Sequence, residues 1–167
     1  MNGQGKLLTH YLKNADKLII PVYQRNYDWR EEHCKKLYQD LVRTIQNKKR
    51  WHFFGGIVSV SDPMGSSSDY LVIDGQQCIT TVSLLLLAMA NLIKEGKVIP
   101  EDDDLYAQIT KQYLVDEITP RKRKVKLKPI KGDQDAYDRL WGDPADFDRS
   151  SKGACEAEVV SFPLESF

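Results

Sequence analysis

The chain carries no net charge: 24 Lys and Arg residues face 24 Asp and Glu residues across 167 positions. A molecule-wide basic field of the kind that gathers DNA is therefore absent, and any attraction for a polyanion must be local. Cysteine is scarce. Cys34, Cys78 and Cys155 are odd in number and none of them is spaced as a metal pair, so free thiols are expected and a disulfide framework or zinc site is not. His10, His33 and His52 are scattered, with no His pair of metal-ligand spacing and no Ser-His-Asp arrangement legible; surface or packing roles are expected of them. Phosphate-binding loops ending in Gly-Lys-Ser or Gly-Lys-Thr are missing, as is a dinucleotide fingerprint. No stretch reads as long and apolar enough to span a membrane, and no basic-then-apolar leader opens the chain. The cytoplasm is the expected location, without membrane partners. No internal repeat is visible.

What is present predicts one domain over residues 1–150. The small, mixed and aperiodic segment 151–167 is expected to be a poorly ordered tail. A short helical stripe (Leu7, Leu8, Tyr11, Leu12) precedes a brief β-rich run, Leu18 to Ile20, closed by Pro21. Val22 to Trp29 has no period and reads as a loop or extended arm. Arg30 to Lys48 predicts a helix with Leu37, Leu41 and Ile45 on one face, Asp28 as its cap and a positive C-terminal end at Lys48, Lys49 and Arg50. Phe53 to Val60 reads as a strand interrupted at Gly55-Gly56, and Tyr70 to Ile73 as a buried strand. The nearly continuous apolar run from Ile79 to Ile93 predicts a central helix that stops at Gly96. Another helix is expected over Asp102 to Val115. An exposed or edge strand is expected where Val125 and Leu127 alternate with lysines. A last helix, Asp133 to Trp141, would be capped by Asp133.

Chemistry concentrates at Asp74-Gly75-Gln76-Gln77, where a strand runs directly into the apolar helix. A helix start presents N–H groups without intrahelical partners and the positive end of the helix dipole, the usual setting for phosphate. Gly75 permits a sharp turn and a close ligand approach. Gln76 and Gln77 add amide groups, Thr80 and Thr81 hydroxyls, and Asp74 a carboxylate able to hold a divalent cation or polarise water. The same residues also fit a plain strand-to-helix turn, with Asp74 as cap and solvated glutamines, and both readings stand on spacing alone. In the arm, Tyr23, Tyr27 and Trp29 could stack on a base and Arg25 could pair with phosphate, with Gln24 beside it; the alternative is that these aromatics fill core gaps, which is favoured for Trp29. The basic run Arg121, Lys122, Arg123, Lys124, Lys126, Lys128, Lys131 reads as a solvated face or a phosphate-contacting one.

Taken together, Ile20-Pro21-Val22-Tyr23-Gln24-Arg25-Asn26-Tyr27-Asp28-Trp29, Phe53-Phe54-Gly55-Gly56-Ile57, Ile73-Asp74-Gly75-Gln76-Gln77 and Thr80-Thr81 resemble, in order and rough spacing, the N-terminal domain of GmrSD-type restriction endonucleases. The resemblance covers about Leu7 to Trp141. It implies an α+β fold of the ParB/sulfiredoxin-like type, a small sheet with surrounding helices. It also implies a nucleoside-triphosphate-binding, NTPase-like regulatory domain of a type IV-like system that restricts modified foreign DNA. Carried onto this sequence, Gln24, Arg25, Gly75, Gln76, Gln77, Thr80 and Thr81 would meet the nucleotide. Asp74 and Gln77 would act in catalysis, with Asp74 holding Mg2+. A separate His-Asn-His nuclease domain or subunit would cut the DNA, while Arg121, Lys122, Arg123 and Lys124 are candidates to meet it on the strength of their charge alone. The chain departs from the family pattern in two ways. Cys78 stands where the family has arginine, which predicts weakened hydrolysis. The resemblance stops near Ser150, which predicts a truncated product without nuclease activity of its own. A non-catalytic DNA- or partner-binding remnant is the alternative.

Overall fold

The computed structural model describes residues 7–116 and 124–141. Helix α1 (Leu8–Asn14) leads into strand β1 (Lys17–Ile19). The arm, residues 20–30, has no regular secondary structure and delivers the chain to helix α2 (Glu31–Gln46). Strands β2 (Val58–Ser61) and β3 (Asp69–Asp74) form a hairpin that feeds helix α3 (Gln76–Lys94). Helix α4 (Leu105–Gln108) continues as a wider π-helical stretch, Ile109–Leu114. Short strands β4 (Val115–Asp116), β5 (Lys124–Val125) and β6 (Leu127–Lys128) precede helix α5 (Lys131–Arg139). The main sheet has the order β2-β3-β1-β6, with β1 parallel to both β3 and β6; β4 and β5 pair separately. The expected α+β class, a small mixed sheet with helices around it, is what the chain adopts.

Helix α3 is the centre of the core. Ile79 and Val82 join Leu12, Leu18, Val72 and Leu127 in one cluster, while Leu87 and Ala90 meet Ile109 and Leu114 in a second. By length and hydropathy α3 passes for a membrane span, contrary to the sequence reading, but more than half of that stretch is buried within the domain. Its end is as expected. Gly96 takes φ +69°, its N–H donates to Ile93 O and that of Lys97 to Leu92 O, the two bonds of a Schellman stop. Helix α2 ends with the same two bonds, Lys48 N–H to Ile45 O and Lys49 N–H to Thr44 O, but the left-handed residue is Lys48 at φ +52°. A side chain there costs about 1 kcal/mol that glycine would not.

Several local expectations give way. Asp28 does not cap α2; Arg30 does, its N–H donating to His33 Nδ1 at 3.1 Å. Leu37 packs on the core, but Ile45, two turns further along α2, is 75% exposed. Regular pairing begins only at Val58, with the irregularity between Val58 and Ser59 rather than at the glycines. Asp133 does not cap α5, whose cap position is Ile130. The β6 segment does lie at a sheet edge, yet Leu127 and Lys126 are both buried. Lys126 Nζ donates to the carbonyls of Leu12, Lys13 and Gln112, which places a cation on the negative end of α1.

The parallel pairing of β1 with β3 sets Lys17 opposite Asp69. Asp69 is fully buried and accepts from Lys17 Nζ at 2.5 Å, Ser66 N at 3.2 Å and Ser66 Oγ at 3.0 Å. Burial pushes this carboxyl up, and the bonds from Lys17 and Ser66 more than reverse that, leaving it below its ordinary value of 3.8. A carboxylate whose folded pKa is depressed adds stability above the unfolded value, and that stability is lost as pH falls through the folded one. Asp69→Asn should therefore cost about 1.5–3 kcal/mol at neutral pH. The check is paired thermal melts: the difference in Tm between parent and variant persists at neutral pH and narrows only as the pH drops below 3.8.

Candidate functional site

Strand β3 ends at Asp74 and α3 begins two residues later, so the whole reversal falls on Gly75. Its φ is +90°, and a Cβ there would lie 2.9 Å from Ile57 Cγ1 and 3.0 Å from Gly56 O. Glycine is thus required twice, by the left-handed conformation and by the Gly56-Ile57 backbone crossing over the turn. Asp74 is exposed, and its Oδ1 accepts the Gly75 N–H at 2.8 Å. The helix proper starts with the Ile79 N–H donating to Gly75 O, and its first-turn N–H groups have no intrahelical partner.

The arm is fastened across this corner by side chains. Gln76 Nε2 donates to Arg25 O at 2.9 Å and Gln77 Nε2 to Asn26 O at 3.1 Å. Gln77 Oε1 accepts the Asp28 N–H at 2.9 Å, so one carboxamide closes a two-bond clasp on the arm backbone. Its orientation is dictated, since one neighbour is a donor and the other an acceptor. Gln24 Nε2 reaches back to Ile73 O at 2.8 Å. Tyr27 OH lies 2.8 Å from Thr81 Oγ1, which itself donates to Gln77 O, so the phenol is the donor of that pair. Burial raises the Tyr27 pKa well above its ordinary value, and the phenol stays protonated. From the far side Asp133 Oδ2 accepts the Tyr27 N–H at 2.7 Å.

Most of the residues singled out from the sequence thus converge. Gln24, Arg25, Gly75, Gln76, Gln77 and Thr81 meet at one corner with Asp74 beside them. Their roles are unequal: the glutamines and Thr81 are engaged with the arm, whereas Asp74, Arg25, Asn26, Asp28 and the 70%-exposed Tyr23 face outward. Thr80 is buried in α3. Trp29 stacks on His33, with ring centroids 5.9 Å apart. Among the described residues no group of three or more His, Cys, Asp or Glu gathers as a metal site. Cys78 belongs to the core; its thiol donates to Phe54 O at 3.3 Å and burial raises its pKa. Arg121, Lys122 and Arg123 lie outside the described residues; Lys124 is in β5. Asn26 and Asp133 went unnoticed as parts of this corner. Asp133 gave only the signal of an acid at a helix start, with a partner 106 positions away.

A family model described as the N-terminal domain of GmrSD restriction endonuclease matches residues 6–159. The match takes in the arm, the hairpin, the Asp74 to Gln77 turn and α3, and runs past Ser150. No curated protein matches the chain significantly.

The clasp yields a prediction of its own. Gln77→Ala removes one donor and one acceptor and deletes the bonds to the Asn26 carbonyl and the Asp28 N–H, at about 0.5–1.5 kcal/mol for each partly buried bond. Amide hydrogen exchange should rise by at least tenfold at Asp28 and neighbouring arm residues. Exchange in the β2–β3 hairpin, outside the clasp, should hold its rate relative to global unfolding.

Proposed function

The chain belongs to the GmrSD restriction endonuclease N-terminal domain family and is a component of a restriction system, and from that premise we propose that it is the nucleoside-triphosphate-binding, NTPase-like regulatory domain of a system acting on modified foreign DNA. The observation that supports the reading is the Gly75 turn, where the start of a 19-residue helix follows the exposed carboxylate of Asp74 and Gln76 holds the backbone of the exposed Arg25. A triphosphate tail would meet the N–H groups of the first turn, with Arg25 supplying forked donors. Asp74 suits Mg2+, which is commonly held by one or two carboxylates, with phosphate oxygens and water as its other ligands. The same carboxylate is the group available to polarise an attacking water. Gln76, Gln77 and Thr81 serve as positioning residues, holding Arg25 at the turn through the arm backbone. Cleavage of DNA is assigned to a separate His-Asn-His nuclease domain or subunit, and DNA contact to residues 121–124 remains part of the proposal. A non-catalytic DNA- or partner-binding remnant of the same fold is the second reading, favoured by Cys78 where the family has arginine.

Calorimetric titration of the full chain with each nucleoside triphosphate and Mg2+ separates the two. Saturable binding that falls at least tenfold in Asp74→Ala and in Arg25→Ala, with unchanged melting temperature, supports the nucleotide site. Binding to DNA alone supports the second reading. Cys78→Arg should raise phosphate release. If a variant that melts cooperatively gains in neither binding nor turnover, the cysteine does not account for weak activity.

A further inference from the structure

The opposite end of α2 carries features that the nucleotide corner does not use. Between residues 43 and 52 the chain holds four cations, Arg43, Lys48, Lys49 and Arg50, and no acid. Arg43 is paired, loosely, with Asp40 at 3.6 Å; the other three form no ion pair among the described residues, and all four are exposed. In a chain of zero net charge this is a local positive field. Exposure alternates along residues 51–54. His52 and Phe54 turn inward and meet edge to face, 5.1 Å between centroids. Trp51 and Phe53 turn outward, 73% and 74% exposed. Beside them lies an open cleft of about 230 Å³ lined by Asp40, Arg43, Thr44, Asn47, Lys49 and His52.

Two outward aromatic rings framed by unpaired cations suit one class of ligand. Stacking on an aromatic ring requires a base face, and phosphates require the cations. A duplex hides its base faces and would leave Trp51 and Phe53 unused. The turn itself is built at some expense, since Lys48 holds the left-handed position at which α3 uses Gly96. That keeps one more cation at the patch.

We propose that Arg43, Lys48, Lys49, Arg50, Trp51 and Phe53 bind single-stranded nucleic acid, with the phosphodiester chain along the cations and unstacked bases on the two rings. This surface is separate from the nucleotide corner: the 16 residues of α2 rise about 24 Å between them. The inference stands whether or not that corner binds a triphosphate.

The test is fluorescence anisotropy of the full chain with a labelled mixed-sequence DNA strand of about 20 nucleotides, longer than the roughly 4–16 that one small domain covers, and with the matching duplex. The single strand should bind at least tenfold tighter. Trp51→Ala with Phe53→Ala should weaken it at least tenfold while changing duplex binding less than twofold, and Asp74→Ala should change neither. Lys48→Gly should reduce the slope of log affinity against log salt by roughly 0.7 without lowering Tm, which excludes misfolding as the cause. Four results would each overturn the proposal: no binding of the strand, equal binding of strand and duplex, binding indifferent to Trp51 and Phe53, or a double variant whose only effect is to dissociate a dimer.

Discussion

Side-chain amides holding a backbone segment are the constraint on which the rest of this molecule depends. The arm at residues 24–28 has no strand or helix to satisfy its peptide groups, and a segment lying against a core must satisfy them somehow. Gln76 and Gln77 answer the carbonyls of Arg25 and Asn26 and the N–H of Asp28, while Asp133 answers the N–H of Tyr27. Each bond is worth about 0.5–1.5 kcal/mol net, and each buried group left unmade costs more.

That geometry divides the labour at the β3–α3 turn. Residues whose polar atoms face inward, the two glutamines, Thr81 and Tyr27, fix the arm. Those facing outward, Asp74 and Arg25, are the groups on which the proposed nucleotide site draws, and Gly75 sets the turn between strand and helix. The arrangement also carries α2, which has no fully buried residue. Its first turn is set by Arg30, His33 and the stacked Trp29, all continuous with the clasped arm, and its apolar contact with the core comes through Leu37. One end of α2 is thus tied to the corner, while the segment that follows its other end presents cations and aromatic rings to solvent.

How much of this was legible in the sequence follows from distance along the chain. The elements whose signals are local were readable: the apolar run of α3 with its stop at Gly96, the hairpin strand at Tyr70 to Ile73, the aperiodic arm. The turn at Asp74-Gly75 was readable because glycine between a strand and a helix has few other reasons to be there. The partners of the glutamines were not, since they lie 49 to 51 positions away and an amide side chain carries no mark of what it will bond. Lys126 misled for a related reason. Alternation of lysine and apolar residues ordinarily means a solvated edge, and only the three-dimensional meeting of β6 with the ends of two helical segments supplies carbonyls enough to bury an ammonium. Ile45 kept a perfect helical spacing with Leu37 and Leu41 but had nothing to pack on.

The central claim is that the glutamines hold the arm and leave the ligand to the turn. It is tested most directly by nuclear magnetic resonance of the 15N-labelled chain, titrated with a non-hydrolysable nucleoside triphosphate and Mg2+. The account predicts shifts at the backbone amides of Gly75 and Gln76 and at the Arg25 side chain, while the side-chain amide protons of Gln77 stay slow to exchange. Release of those protons to solvent on binding, or a Gly75 amide indifferent to saturating nucleotide, would contradict it.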